Sequence, residues 1–229
     1  LRLYDVDAHG EMVLEVIRTE NLDFKIMLGA FIEAELNNFD CPWDGGVYTR
    51  EQLARNRESN DRKIQKLIRL AKQYPDIICS LSVGNEACVD WTDHLVPVSR
   101  VIEFVNRVKA AARQPVTFCE NYVPWLHPLK PLATAVDFIS IHTYPVWEHK
   151  RIHESLEFTK ENYYSVADLY PGKPVVITEA GWATHSNGRG IDPADVNEEN
   201  QKKYFEKHWG LFHIDRTPKK AMKSYFMAF

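Results

Sequence analysis

Glycine-rich phosphate loops are missing from this sequence. No strand-like run is followed by G-x-G-x-x-G or by a P-loop, which weighs against the nucleotide-binding kind of α/β fold. A surplus of positive charge is missing too. Lys and Arg total 28 against 32 Asp and Glu, a formal net charge of -4, so no basic face is offered to nucleic acid or to an anionic membrane. No apolar stretch is long enough to cross a bilayer. The four cysteines, Cys41, Cys79, Cys88 and Cys119, include neither a C-x-x-C pair nor a metal-ligand spacing. Cys79 and Cys119 stand inside apolar runs, where a buried thiol behaves as a small hydrophobe. No signal peptide stands in the 229 residues, but the chain opens without Met on Leu1-Arg2-Leu3-Tyr4, so nothing follows about a leader.

What is present is ordinary globular composition, 45% hydrophobic and 26% charged over 229 residues, read as a single domain spanning residues 1–229. Aromatic residues make up 12% and include six Trp, enough to build a core and also to stack against apolar ring faces of a ligand. Short apolar runs alternate with longer stretches whose apolar residues recur three and four apart. Strands are predicted at Leu1–Val6, Lys25–Phe31, Ile77–Val83, Pro115–Cys119, Val136–Ile141 and Val175–Thr178. Helix faces are predicted from Met12, Val13, Val16 and Ile17; from Ile64, Leu67, Ile68 and Ala71; from Val98, Val101, Ile102, Val105 and Val108; and from Ile152, Leu156, Val166 and Leu169. Glu198–Trp209 reads as a last helix. Regular β, α order with near-continuously apolar strands implies a parallel sheet covered by helices.

Polar residues gather where the apolar runs stop. They are Tyr4 and Asp5, then Glu33, then Asn85 and Glu86, then Glu120, Asn121 and Tyr122, then His142 and Tyr144, then Glu179 and Trp182. In a closed barrel, side chains at the C-terminal ends of separate strands converge on one cleft. Carboxylates with aromatics in a cleft suit glycoside hydrolysis, which needs one protonated carboxyl to protonate the leaving oxygen and one carboxylate to attack the anomeric carbon.

Two segments are more specific, Ser82-Val83-Gly84-Asn85-Glu86 and Ile177-Thr178-Glu179-Ala180-Gly181-Trp182. With Leu3-Tyr4, Met27-Leu28-Gly29, His142-Thr143-Tyr144-Pro145 and Glu199-Asn200-Gln201, they give the chain a resemblance to glycoside hydrolase family 17, in its bacterial branch. That is the β-1,3-glucanase and glucanosyltransferase family of the retaining (β/α)8 TIM barrel glycosidases. The resemblance runs over nearly the whole chain. It implies Glu86 as acid/base, Glu179 as nucleophile and Asn85 as a hydrogen-bond partner of the sugar 2-hydroxyl. Retention requires the two carboxyls only about 5 to 5.5 Å apart. Tyr144 is placed to hydrogen-bond Glu179. Trp182, Tyr122 and Trp125 are candidates for sugar stacking, and Glu120, Asn121, His142, Glu33 and Tyr4 for binding hydroxyls. No cofactor or metal is implied, and the partner is a β-glucan oligo- or polysaccharide. Such a substrate favours an extracellular or periplasmic setting.

The family barrel has eight strands, and six are counted here. The expected fold is therefore a barrel lacking its first and eighth strands in these 229 residues, with a β/α unit before Leu1 and a strand-bearing segment near Phe205 to His208 absent. Three alternatives stay open. A transglycosylase would use the same residues, because a glycosyl-enzyme can be released by a sugar hydroxyl as well as by water. A degenerate barrel would bind glucan without turnover. A divalent metal held by Glu86, Glu120, His142 and Glu179 would support different chemistry.

Overall fold

The computed structural model describes residues 1–186, 188, 191–214 and 223–224, beyond Lys207 by backbone only. The chain divides into two compact units, Leu1–Ile139 and Ser140–Phe229.

The first unit is a parallel sheet with helices between its strands. Strands β1 (Arg2–Leu3), β2 (Ile26–Ala30), β3 (Ile78–Asn85) and β4 (Val116–Asn121) pair in chain order, each parallel to the next. Side chains of β2 and β4 are buried throughout, as expected for strands covered on both faces. Gly29 on β2 permits a close approach, since a Cβ there would lie 2.7 Å from the Tyr4 carbonyl oxygen.

Helices α1 (Ala8–Thr19), α2 (Arg50–Gln73) and α3 (Val98–Ala111) are the crossovers, with α4 (Tyr122–Leu126) and α5 (Lys130–Ala135) after β4. Local chemistry starts them. Asp7 caps α1 by accepting from the Gly10 N–H, and Thr49 and Gln52 form a reciprocal capping box on α2. The buried stripe of α2 includes Ile64, Leu67, Leu70 and Ala71, and that of α3 is Val101, Phe104, Val105 and Val108. On α1 the inward face is Gly10, Leu14 and Ile17. Met12 and Val16, expected inside, are 57% and 45% exposed, because the 10, 14, 17 stripe leaves them on the flank.

The second unit opens within β5 (Ile139–Thr143) and continues through a 3-10 turn at Pro145–Glu148, α6 (Ser155–Leu169), β6 (Val175–Ala180), α7 (Glu198–Ile214) and β7 (Lys223–Ser224). β5, β6 and β7 are neighbours in that order, with β7 parallel to β6. Much of the face that α6 buries is polar. Asn162 Nδ2 donates to Thr143 Oγ1 at 2.9 Å, and Thr159 Oγ1 donates back to the Ser155 carbonyl.

The six predicted strands are all present, with shifted bounds. A two-residue seventh, β7, follows them. The stretch from Phe205 to His208, where a strand-bearing segment was expected to be missing, is the interior of α7, and the chain runs on through it as one helix. A two-residue Lys-Ser strand has no apolar run to announce it. The side chains of 208–212 lie outside the described residues.

Candidate active site

In the first unit, the site residues follow the C-terminal ends of neighbouring parallel strands. Between Ser82 and Asn85 the register of β3 shifts, and Gly84 takes a φ of 87°. A Cβ at Gly84 would lie 2.7 Å from Ile32 Cδ1 and 2.9 Å from Phe118 Cε2. Glycine meets both demands, and the irregularity re-aims the end of the strand. Glu86 comes next with a φ of 47°, a left-handed conformation costing a non-glycine residue about 1 to 3 kcal/mol unless its surroundings hold it. One hold is its N–H, which donates to the Cys119 carbonyl at 2.9 Å.

Asn85 is oriented through its side chain. Arg2 Nη2 donates to Asn85 Oδ1, and the Arg2 guanidinium lies 4.4 Å from the centroid of the Tyr4 ring. A guanidinium has only donors, so this contact assigns the amide oxygen and leaves the NH2 group as the donor end. Arg2 is 7% exposed and was missed in the sequence. Its signal was a cation inside the apolar run Leu1–Val6.

Glu33 is tied down by backbone and charge. Asn60, fully buried on α2, accepts from the Glu33 N–H at 2.7 Å and donates to its carbonyl at 2.9 Å, while Lys63 Nζ sits 3.3 Å from its carboxylate and 3.0 Å from that of Asp5. Glu120 is also fully buried. Its carboxylate accepts from the backbone N–H groups of Cys88 at 2.9 Å and Asn121 at 2.8 Å, so it braces the loop that follows Glu86. Burial, and secondarily the Glu120 charge, push the Cys88 thiol well above its ordinary range, which keeps it protonated and removes it as a nucleophile. Asn121 caps α4 by accepting from the Val123 N–H at 2.9 Å, and Tyr122 is half-buried beside it.

Trp125 is a correction. Its exposure is 0% and it meets Phe118 edge-on, with centroids 6.3 Å apart. An indole with no exposed face is a core residue, not a sugar platform.

In the second unit, Glu179 lies in β6 at 5% exposure. Tyr144 Oη donates to its Oε2 at 2.7 Å, and Nε2 of the fully buried His142 stands 3.4 Å from its Oε1. The Tyr144 contact is the one expected from the sequence. Trp182 differs from expectation: it is 2% exposed, its Nε1–H donates to the Asp195 carbonyl at 2.9 Å, and its ring packs on Tyr204 with centroids 5.8 Å apart. Trp147, by contrast, is 40% exposed. It lines a cleft of about 330 Å³ with Tyr144, Trp182, Thr184 and His185. Sequence reasoning missed Trp147, although it lies only three residues past Tyr144.

The family model of the BtgE/BtgC glycoside hydrolase domain matches residues 1–229. Among solved structures, an endo-laminarinase from Formosa Hel1_33_131 is similar at a TM-score of 0.77 and 24% identity, over 100% of this chain and 68% of that one. An active-site mutant of the Rhizomucor miehei β-1,3-glucanosyltransferase, in complex with laminaritriose, is similar at 0.71 and 19% identity, over 99% and 74%. The glycoside hydrolase family 17 β-1,3-glucanosyltransferase from Rhizomucor miehei is similar at 0.68 and 21% identity, over 99% and 74%. No curated protein matches the sequence. At such identities these likenesses establish a shared fold, the TIM-barrel-like alternation of parallel strands and helices seen in glycosidases.

Proposed function

Because the chain belongs to the BtgE/BtgC glycoside hydrolase family, we propose that it is a retaining enzyme acting on β-1,3-linked glucan, with Glu179 as nucleophile and Glu86 as acid/base. Residues 1–229 form its catalytic domain, part of an eight-stranded barrel. The observation that carries this is the setting of Glu179, a buried carboxylate held by the Tyr144 hydroxyl at 2.7 Å. A hydroxyl donor favours the ionised form that a nucleophile needs.

In the first step Glu179 forms a bond to the anomeric carbon as the glycosidic C–O bond breaks, and Glu86 gives its proton to the departing oxygen. In the second step Glu86 takes a proton from water, which displaces Glu179, and two inversions leave net retention. Asn85, whose NH2 end is set free by Arg2, donates to the sugar 2-hydroxyl. Trp147 supplies the stacking face in place of Trp125 and Trp182. Tyr4, Glu33, Asn121 and His142 serve sugar hydroxyls and Tyr122 a sugar face, with Glu120 bracing the loop after Glu86. The preference for β-1,3 linkage is supported by the laminarinase and the laminaritriose complex among the structural neighbours.

Transglycosylation is the second reading, favoured by the glucanosyltransferases among those neighbours. Laminarin incubated with the protein and followed by proton NMR decides between the two. Hydrolysis releases new reducing ends, first as the β-anomer. Transfer yields longer or branched glucans at constant reducing-end signal. No change in laminarin overturns both.

A further inference from the structure

The peptide joining Asn85 to Glu86 is gripped at both ends. Its N–H donates to the Cys119 carbonyl on β4 at 2.9 Å, and its carbonyl lies 2.8 Å from His94 Nε2. A carbonyl oxygen has no proton to give, so Nε2 is the donor. The imidazole is itself held. Nδ1 stands 2.6 Å from Asp93 Oδ1 and 3.1 Å from Thr92 Oγ1, so with Nε2 already donating, the ring that also bonds the Asp93 carboxylate is the imidazolium, a donor at both nitrogens, and it packs on Phe31 with centroids 4.7 Å apart. The loop bearing His94 is anchored in turn. Asn38 Nδ2 donates to the carbonyls of Asp90 and Thr92, both at 2.7 Å, and the Tyr48 hydroxyl donates to the Asp93 carbonyl at 2.8 Å.

This grip falls on the dihedral that matters. The φ of Glu86, at 47°, is set by the orientation of the 85–86 peptide plane, and a left-handed glutamate relieves its strain by rotating that plane. Rotation would swing the Cα–Cβ bond and re-aim the carboxyl. From this geometry we infer that His94, oriented by Asp93, is a positioning residue for Glu86. It clamps the 85–86 peptide so that a strained backbone presents the carboxyl in one direction. The inference rests on the acid/base reading of Glu86 for its catalytic consequence, while the clamp itself stands apart from it.

The test uses His94→Phe, which keeps the ring packing and loses the donor, and His94→Gln, whose amide restores a donor. Asp93→Ala is the milder variant should His94→Phe not fold, since Asp93 is 53% exposed. Two readouts apply. Hydrogen exchange of the Glu86 amide, measured by NMR, should quicken at least about tenfold in His94→Phe and less in Asp93→Ala, and stay near wild type in His94→Gln. In kcat/KM, which reports glycosylation alone, His94→Phe should lose about tenfold to a hundredfold on laminarin, which needs protonation of its leaving group. On a dinitrophenyl β-laminaribioside, which does not, the loss should be less than about threefold. Glu86→Gln should show the same selectivity more strongly. Unchanged Glu86 exchange in His94→Phe and Asp93→Ala overturns the clamp. Faster exchange with equal losses on both substrates overturns the positioning of the acid. Faster exchange in a protein whose wild type turns over neither substrate supports the clamp and overturns the proposed function, so the two fail separately.

Discussion

Glu179 is an acid on a strand whose other side chains are also buried, and a buried carboxylate is costly unless donors face it. The Tyr144 hydroxyl is one such donor, and His142 Nε2 stands 3.4 Å from the other carboxylate oxygen. Truncation to Glu179→Ala should lower turnover of laminarin at least about a thousandfold, the equivalent of about 4 kcal/mol of barrier. Added azide should restore part of the rate on an activated aryl glycoside, giving an α-glycosyl azide detectable by NMR. A variant that keeps near wild-type activity would remove Glu179 as nucleophile. At this scale the contact of Tyr144 with Glu179 was legible in the sequence, because both residues stand where apolar runs stop. Arg2, His94 and Trp147 were hidden for separate reasons. The partner of Arg2 is 83 residues away, His94 acts on a backbone carbonyl, and which aromatic faces a cleft depends on burial. For the same reason the buried indoles of Trp125 and Trp182 look the same in the sequence as the exposed one of Trp147.

Helices α2 and α3 show how polar partners bind elements whose apolar stripes the sequence already displayed. Asp61 on α2 accepts from Arg100 Nη2 at 2.8 Å and from Arg107 Nη1, both on α3, and Arg100 also pairs with the buried Glu35 at 3.2 Å. Burial works to raise the Asp61 pKa, but the two arginines outweigh it and hold the carboxyl below its ordinary value of 3.8. A depressed folded value means the unfolded chain takes up protons first. The stabilisation is therefore fully present above that ordinary value and is lost as pH falls through the lowered one. Asp61→Asn should cost about 0.5 to 1 kcal/mol at pH 7, a modest figure because the side chain is 39% exposed. In urea unfolding the gap between variant and wild type should be the same at about pH 5 and close towards about pH 2. A gap that persists at the acid end would contradict the ion-pair account. Periodicity found Ile64, Leu67 and Ala71 on α2, yet it could not mark Asn60 or Asp61, whose partners lie 27 residues before and 39 and 46 residues after them.

As a whole the molecule was most legible in its strands, since strands buried on both faces read as unbroken apolar runs. The exception was β7, too short to carry such a run. Glu86 belongs to the first unit and Glu179 to the second, and family membership spans both. The central claim, a covalent glycosyl-enzyme on Glu179, is tested most directly by trapping it. A dinitrophenyl 2-deoxy-2-fluoro-β-laminaribioside suits this, because the fluorine slows both steps while the activated leaving group still departs, and the intermediate accumulates. Mass spectrometry of the digested protein should then find the fluorinated disaccharide on the peptide containing Glu179, and no label in Glu179→Ala. Label on another residue, or turnover with inversion and no label, would contradict the account.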